Sequence, residues 1–84
     1  MYKELIKNKY MEKVRGKFSC VSVKDINGGS QEEVKFYTLY SNNPEDNSFA
    51  KATPSGMISM IVDNPSAQAF FKEGESYFVD FVKV

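Results

Sequence analysis

Residues 14–23 alternate along the chain: Val14, Gly16, Phe18 and Cys20 fall on one side of extended backbone, and Arg15, Lys17 and Ser19 on the other. A period of two marks a strand, because successive side chains of extended chain point to opposite faces. After Cys20 the apolar positions change parity, to Val21 and Val23. A switch of face within one strand calls for a bulge or strong coiling. Gly16 suits a bend of this kind, or the close approach of a neighbouring strand. Asn27-Gly28 comes next, and both central positions of a type I′ hairpin turn need the positive φ that Asn and Gly tolerate. Gly29 and Ser30 leave room for a longer loop. The return strand covers 32–40, with Val34, Phe36, Thr38 and Tyr40 on one face and Lys35, Tyr37 and Leu39 on the other. Apolar atoms on both faces suggest that Tyr37 and Leu39 are covered by another element or by a partner.

Beyond the hairpin, Met57 to Val62 is a nearly continuous apolar run. Asp63-Asn64-Pro65 then reads as a helix start, with Asp63 or Asn64 as N-cap and Pro65 at the first helical position. That helix is expected to run to about Lys72, to bury Ala67, Phe70 and Phe71, and to close at Gly74. The last strand is Tyr77 to Val84, with Tyr77, Val79 and Phe81 facing one way and Phe78, Asp80 and Val82 the other. Near the N-terminus, Tyr2, Leu5, Ile6 and Tyr10 recur at helical spacing.

These segments define a mainly β (small α+β) chain. Its expected form is a curved antiparallel sheet or a partly open barrel resembling an OB-fold, with one short helix before the last strand. Residues 1–11 form an N-terminal extension, helical if docked, and residues 12–84 a single domain. Four firm strands are present where an OB-fold has five. The fifth is expected from residues 48–53, from a break in the first strand, or from a neighbouring subunit.

Composition narrows the chemistry. One cysteine, Cys20, excludes an internal disulfide, and its place in an alternating run makes it a small buried hydrophobe. No histidine occurs, which excludes a Cys/His zinc site and a Ser-His or Cys-His nucleophile pair. Asp63 reads as a helix cap or turn residue and Asp80 as a residue on a solvated strand face, so paired-carboxylate catalysis is not expected. Glu45, Asp46 and Asn47 lack the spacing of a calcium loop, and no pair of glycines has phosphate-loop spacing. A non-enzymatic chain without metal or cofactor is the expectation. Apolar runs are too short for a membrane-crossing helix, and the first residues have no signal-peptide stretch; a cytosolic protein is the default. The formal charge is zero but unevenly spread: residues 1–17 carry six basic against two acidic side chains, and residues 18–84 five against nine. A basic arm that meets phosphate or an acidic partner is one reading of this. A solvated terminus balancing its own acidic domain is the favoured one, because the arm is short and mixed in sign.

Ser41 to Gly56 is a sixteen-residue polar stretch between strands. Loops of that length are uncommon in small domains and are usually functional or disordered. This one holds a single large aromatic, Phe49, beside Lys51, with hydrogen-bonding side chains around them. Phe49 is either an anchor for a partner or second copy, or a plug that folds back on one end of the barrel. Thr53-Pro54-Ser55-Gly56 is a turn whose Thr53 and Ser55 hydroxyls and amides suit an anion. Phe49, Tyr37 and Tyr40 with Lys35 and Lys51 offer a stacking surface for single-stranded nucleic acid, with Arg15 and Lys17 adding charge. Against that, the body outside residues 1–17 is net negative. A protein interface, which favours Tyr, Phe, Met and Arg, makes fewer demands on the same residues.

Pro44-Glu45-Asp46-Asn47-Ser48-Phe49-Ala50-Lys51-Ala52-Thr53-Pro54-Ser55-Gly56, followed by an apolar strand, resembles a pattern in small phage-encoded proteins of about this length. The closing segment Phe71-Lys72-Glu73-Gly74-Glu75-Ser76-Tyr77-Phe78-Val79-Asp80-Phe81 fits the same group, as does the opening strand Val14 to Val23 with Arg15, Lys17 and Phe18. Residues 1–11 lie outside the resemblance. It implies a viral accessory or virion component, in the cytoplasm of an infected bacterium or in its particle, and carries over no catalytic residue. The expected function is binding through protein–protein contacts and self-association into a homo-oligomer. The alternatives are a single-stranded nucleic-acid binder and an anti-defence inhibitor that sequesters a host protein or a signalling nucleotide.

Overall fold

The computed structural model describes residues 12–84; the helical extension expected over 1–11 lies outside them. Four strands form one antiparallel sheet in the order β3-β2-β1-β4: β1 (Lys13–Ile26), β2 (Gln31–Thr38), β3 (Met57–Val62) and β4 (Ser76–Val82). β1 and β2 are the hairpin expected from the alternation. Asn27, Gly28 and Gly29 all have positive φ, at 53°, 70° and 88°. The connection is thus a four-residue loop, 27–30, rather than a two-residue turn, and Ser30 N–H closes it onto the Asn27 carbonyl. The parity switch after Cys20 is a bulge: Cys20 faces Phe36 and Ser22 faces Lys35, so Val21 has no facing residue on β2.

This bulge sits in a strand that serves several neighbours. Residues 13–19 pair with β4, and residues 18–26 pair with β2. Along the first segment, the Arg15 and Lys17 N–H groups point away from β4, toward the loop after β2. Backbone groups alternate in direction along a strand, so those of Val14, Gly16 and Phe18 turn to β4. They meet Phe81, Val79 and Tyr77 respectively.

Cross-strand partners share a face, which sorts the side chains into two sets. Gly16, Phe18, Cys20, Val34, Phe36, Ile58, Met60, Val62, Tyr77, Val79 and Phe81 lie on the inner face. Arg15, Lys17, Ser19, Lys35, Tyr37, Met57, Ser59, Phe78 and Asp80 lie on the outer face. Phe18, Cys20, Val34, Phe36 and Val62 are the buried apolar core, with Val23, Ile58, Ala67, Phe71, Tyr77 and Val79 packed half-buried against it. Cys20 is buried as expected, and burial raises the pKa of its thiol.

Three expectations are corrected. No helix forms over 64–72. Asn64 opens one turn, its side chain accepting from Ser66 N–H and its carbonyl from the amides of Ala67 and Gln68. A helix would continue with the next amide, that of Ala69. Instead Glu32 on β2 takes the Ala69 N–H with both carboxylate oxygens, at 3.2 and 3.3 Å. Ala69 then adopts a left-handed φ of 68° and the turn ends. Phe71 still packs on the core as expected, edge-on to Phe36 at 5.3 Å, while Phe70 is exposed. Gly74 does have positive φ, but as the third residue of a reverse turn closed by Glu75 N–H on the Lys72 carbonyl, not as a helix stop.

The second correction concerns the barrel alternative: the four strands form the curved, open antiparallel sheet that was the other expectation, with β3 and β4 as its edges. Residues 48–53 supply no fifth strand, and β1 is continuous. The third concerns Gly16, which makes room for rings rather than for a strand. A Cβ there would stand 2.5 Å from Cε1 of Phe18 and 3.3 Å from Cε1 of Phe49.

Candidate functional site

The long loop is an ordered cap on an unpaired stretch of β1. Beyond Thr38, β2 no longer runs beside β1, and the Leu39 N–H makes a last bond to the Lys17 carbonyl. The amides of Arg15 and Lys17 would then lack partners. A 3-10 turn at Pro44–Asn47 supplies them. Asn47 Oδ1 accepts from Lys17 N–H at 2.8 Å while its Nδ2 donates to the Leu39 carbonyl at 2.8 Å. Ser48 Oγ accepts from Arg15 N–H at 2.8 Å. Asn43 caps the start of the turn by accepting from Glu45 N–H, and the Ser41 hydroxyl donates to Asp46. Asn47 is buried, and its side chain serves as a strand surrogate. Among the described residues no cluster of metal-ligating side chains occurs.

Phe49 follows this cap and lies against Gly16 on the inner face, 41% exposed. It is partly a plug and partly available. Lys51 and Phe49 share a shallow groove with Pro44 and Ser48. A second cleft, of about 360 Å³, brings Tyr40, Lys51 and Thr53 together between Pro44 and Pro54. Ser55 is exposed but lines neither depression. Lys35 and Tyr37 stand apart from the loop clefts, on the outer face of β2, where Tyr37 faces Ser19 and Met57. Tyr37 is half exposed, so the cover expected over it is not found among the described residues.

Arg15 and Lys17 are already engaged. Arg15 grips Asp80 through Nε at 2.7 Å and Nη2 at 3.0 Å, and its guanidinium lies 4.3 Å above the Phe78 ring. This hydrogen bond raises the Arg15 pKa and lowers that of Asp80 below the usual carboxylate range. Lys13 adds a 3.6 Å contact to the same carboxylate, and Lys17 reaches Asp46 at 3.9 Å. A phosphate at either side chain would compete with an acid of the same chain. Lys35 and Lys51 form no ion pair among the described residues.

Sequence reasoning missed a third surface. An apolar cleft of about 420 Å³ lies on the inner face, lined chiefly by Phe36, Ile58, Met60, Phe70, Phe71, Tyr77 and Val79. It exists because residues 63–75 cross the sheet as turns and cover only part of it. The signal was present in the surplus of apolar residues on the edge strands. Met57, Met60, Ile61, Phe70, Phe78, Phe81 and Val82 are all exposed.

The fold and these surfaces define a small, mainly β chain built on one open antiparallel sheet. Comparison with protein-family models, with curated proteins and with solved structures gives no match. No helix among the described residues is long and apolar enough to cross a membrane.

Proposed function

We propose that this chain is a non-enzymatic phage accessory or virion-associated protein that works by protein–protein contact and self-association. Its place is the cytoplasm of an infected bacterium or the particle itself. One observation carries the binding reading: the inner apolar face of the sheet is half covered, and both edge strands display Phe, Met, Ile and Val side chains to solvent. Apolar patches of this kind on soluble chains mark interaction sites, and aromatic and Met side chains are the types that interfaces favour. The phage assignment rests on the resemblance of the Pro44–Gly56 loop and the Phe71–Phe81 segment. Sedimentation velocity over a broad concentration range tests the self-association: a reversible dimer or larger species is expected. A monomer at every concentration overturns it.

A second reading, single-stranded nucleic acid, is favoured by the cleft in which the 70% exposed Tyr40 ring stands with Lys51 and Thr53. Oligonucleotide binding that weakens steeply with added salt and falls on Lys51→Ala supports it. A host protein or a signalling nucleotide sequestered in the same loop is the inhibitor variant of this reading. Phe49 separates loop recognition from simple packing. Phe49→Ala is expected to weaken association by about 2 kcal/mol and to lower stability by only about 1 kcal/mol, because the ring is part exposed. A stability loss with unchanged association would assign Phe49 to packing alone.

A further inference from the structure

We propose that β4 is the seam between two copies of this chain, joined antiparallel about Val79 so that two four-stranded sheets become one continuous sheet. This rests on the self-association proposed above and names its surface. Tyr77, Val79 and Phe81 face Phe18, Gly16 and Val14, and their backbone groups turn toward β1. By alternation, Ser76, Phe78, Asp80 and Val82 present theirs on the outer edge. No strand pairs with that edge among the described residues. Exposed edges are usually blunted by lysine, proline, a bulge or an inward-pointing charge. β4 has no lysine or proline, and its register with β1 runs without a break from Ser76 to Val82. Its one charge, Asp80, points to the outer face and is held by Arg15.

Parity restricts a two-fold seam to residue-centred registers, and strand length then favours β4 centred on Val79. Two residues that face each other across an antiparallel seam must both turn their backbone groups toward it, or both away. A two-fold seam therefore centres on a residue, never between two. β4 has seven residues, so centring on Val79 pairs its whole length. β3 has six, and no centring pairs all of them. A β3-to-β4 contact would be head-to-tail and need not close.

About Val79, Tyr77 faces Phe81 of the second copy, Phe78 faces Asp80 of the second copy, and Val79 faces its own equivalent. The inner face then reads as one apolar strip across the seam, continuous with Gly16 and the Phe49 ring resting on it. On the outer face the two Asp80 carboxylates are not opposite each other, which avoids the direct like-charge pairing that destabilises sheets.

Cysteine scanning tests the register. The two Val79 residues would form a non-hydrogen-bonded pair with Cα atoms about 4.5 Å apart, within disulfide reach. Val79→Cys is expected to give a covalent dimer on mild oxidation. Phe81→Cys is expected to stay uncrosslinked, since four residues of offset place its equivalents roughly 13 Å apart. The wild type, whose Cys20 is buried, sets the background. Phe78→Pro removes an N–H from the seam and none from the pairing with β1, and is expected to raise the dimer dissociation constant about tenfold or more. Circular dichroism checks that this variant is folded; if it is not, the cysteine pair decides. A wild type that sediments as a dimer while Val79→Cys stays uncrosslinked refutes the seam and leaves self-association standing. Equal crosslinking of both cysteine variants refutes the register. A wild type that is always monomeric removes the seam together with the self-association beneath it.

Discussion

Phe36→Ala is expected to destabilise the domain by about 3–5 kcal/mol, the range for removing a buried aromatic ring. Phe36 is 3% exposed and stands where the hairpin, the 63–75 crossing and β4 meet. Its ring takes Phe71 edge-on at 5.3 Å and Tyr77 at 5.8 Å. Among the described residues only five apolar side chains are buried in the core cluster, so little there can collapse into the space. A chain of this size has total stability of only about 4–12 kcal/mol, so the variant should lose a large share of it and melt at a much lower temperature. Urea unfolding followed by circular dichroism measures the loss. A loss below about 1.5 kcal/mol, the range of a methyl deletion, would mean that the core lies elsewhere.

Asn47→Ala is expected to cost about 2–4 kcal/mol, which is large for a polar loop residue. The substitution leaves the Lys17 N–H and the Leu39 carbonyl without the partners they have at 2.8 Å, and each orphaned group costs about 1–3 kcal/mol. Asn47→Asp keeps the acceptor for Lys17 but puts an oxygen against the Leu39 carbonyl, so it should destabilise too. Ser48→Ala, which strips one acceptor from the part-buried Arg15 amide, should cost about 1 kcal/mol. The same urea titration ranks the three. If Asn47→Ala proves as mild as a surface substitution, water replaces the side chain and the loop is not a strand surrogate.

Much of the sheet was legible because its cause is local. Alternation from Val14 and the parity switch at Cys20 gave β1 and its bulge, and Asn27-Gly28 gave the reversal. The missing helix was not legible, because Glu32 stops it from 37 positions away by taking the Ala69 amide. Local signals at Asn64 and Gly74 still shaped the chain, giving a turn capped by the Asn64 side chain and a second turn with Gly74 at positive φ. The loop shows the same limit. Asn47 and Ser48 look like any polar loop residues until β1 is seen to outrun β2 and leave two amides uncovered. Arg15 and Lys17 read as free cations for a similar reason: Asp80 lies 65 positions from Arg15. Phe49, Lys51, Tyr40 and Thr53 could be named from the sequence, but their grouping into neighbouring clefts depends on how the cap folds.

The long reach between β1 and β4 also sets an order of assembly. The hairpin of β1 and β2 closes across residues 27–30, whereas the Arg15–Asp80 contact must close a span of 65 residues. Loop-closure entropy alone makes the second step costlier by about 2 kcal/mol. The hairpin therefore zips early, and β4 docks last onto a ribbon already formed. On the way back β4 is the first strand to lift, so its inward amides should exchange with solvent through local opening while those shared by β1 and β2 wait for global unfolding. Heating is therefore expected to release β4 before the hairpin and to bare the Gly16 side of β1, a place that β4 from another molecule could fill. Concentration during refolding, more than the amino-acid changes that stabilise the core, would then decide between correct closure and strand exchange.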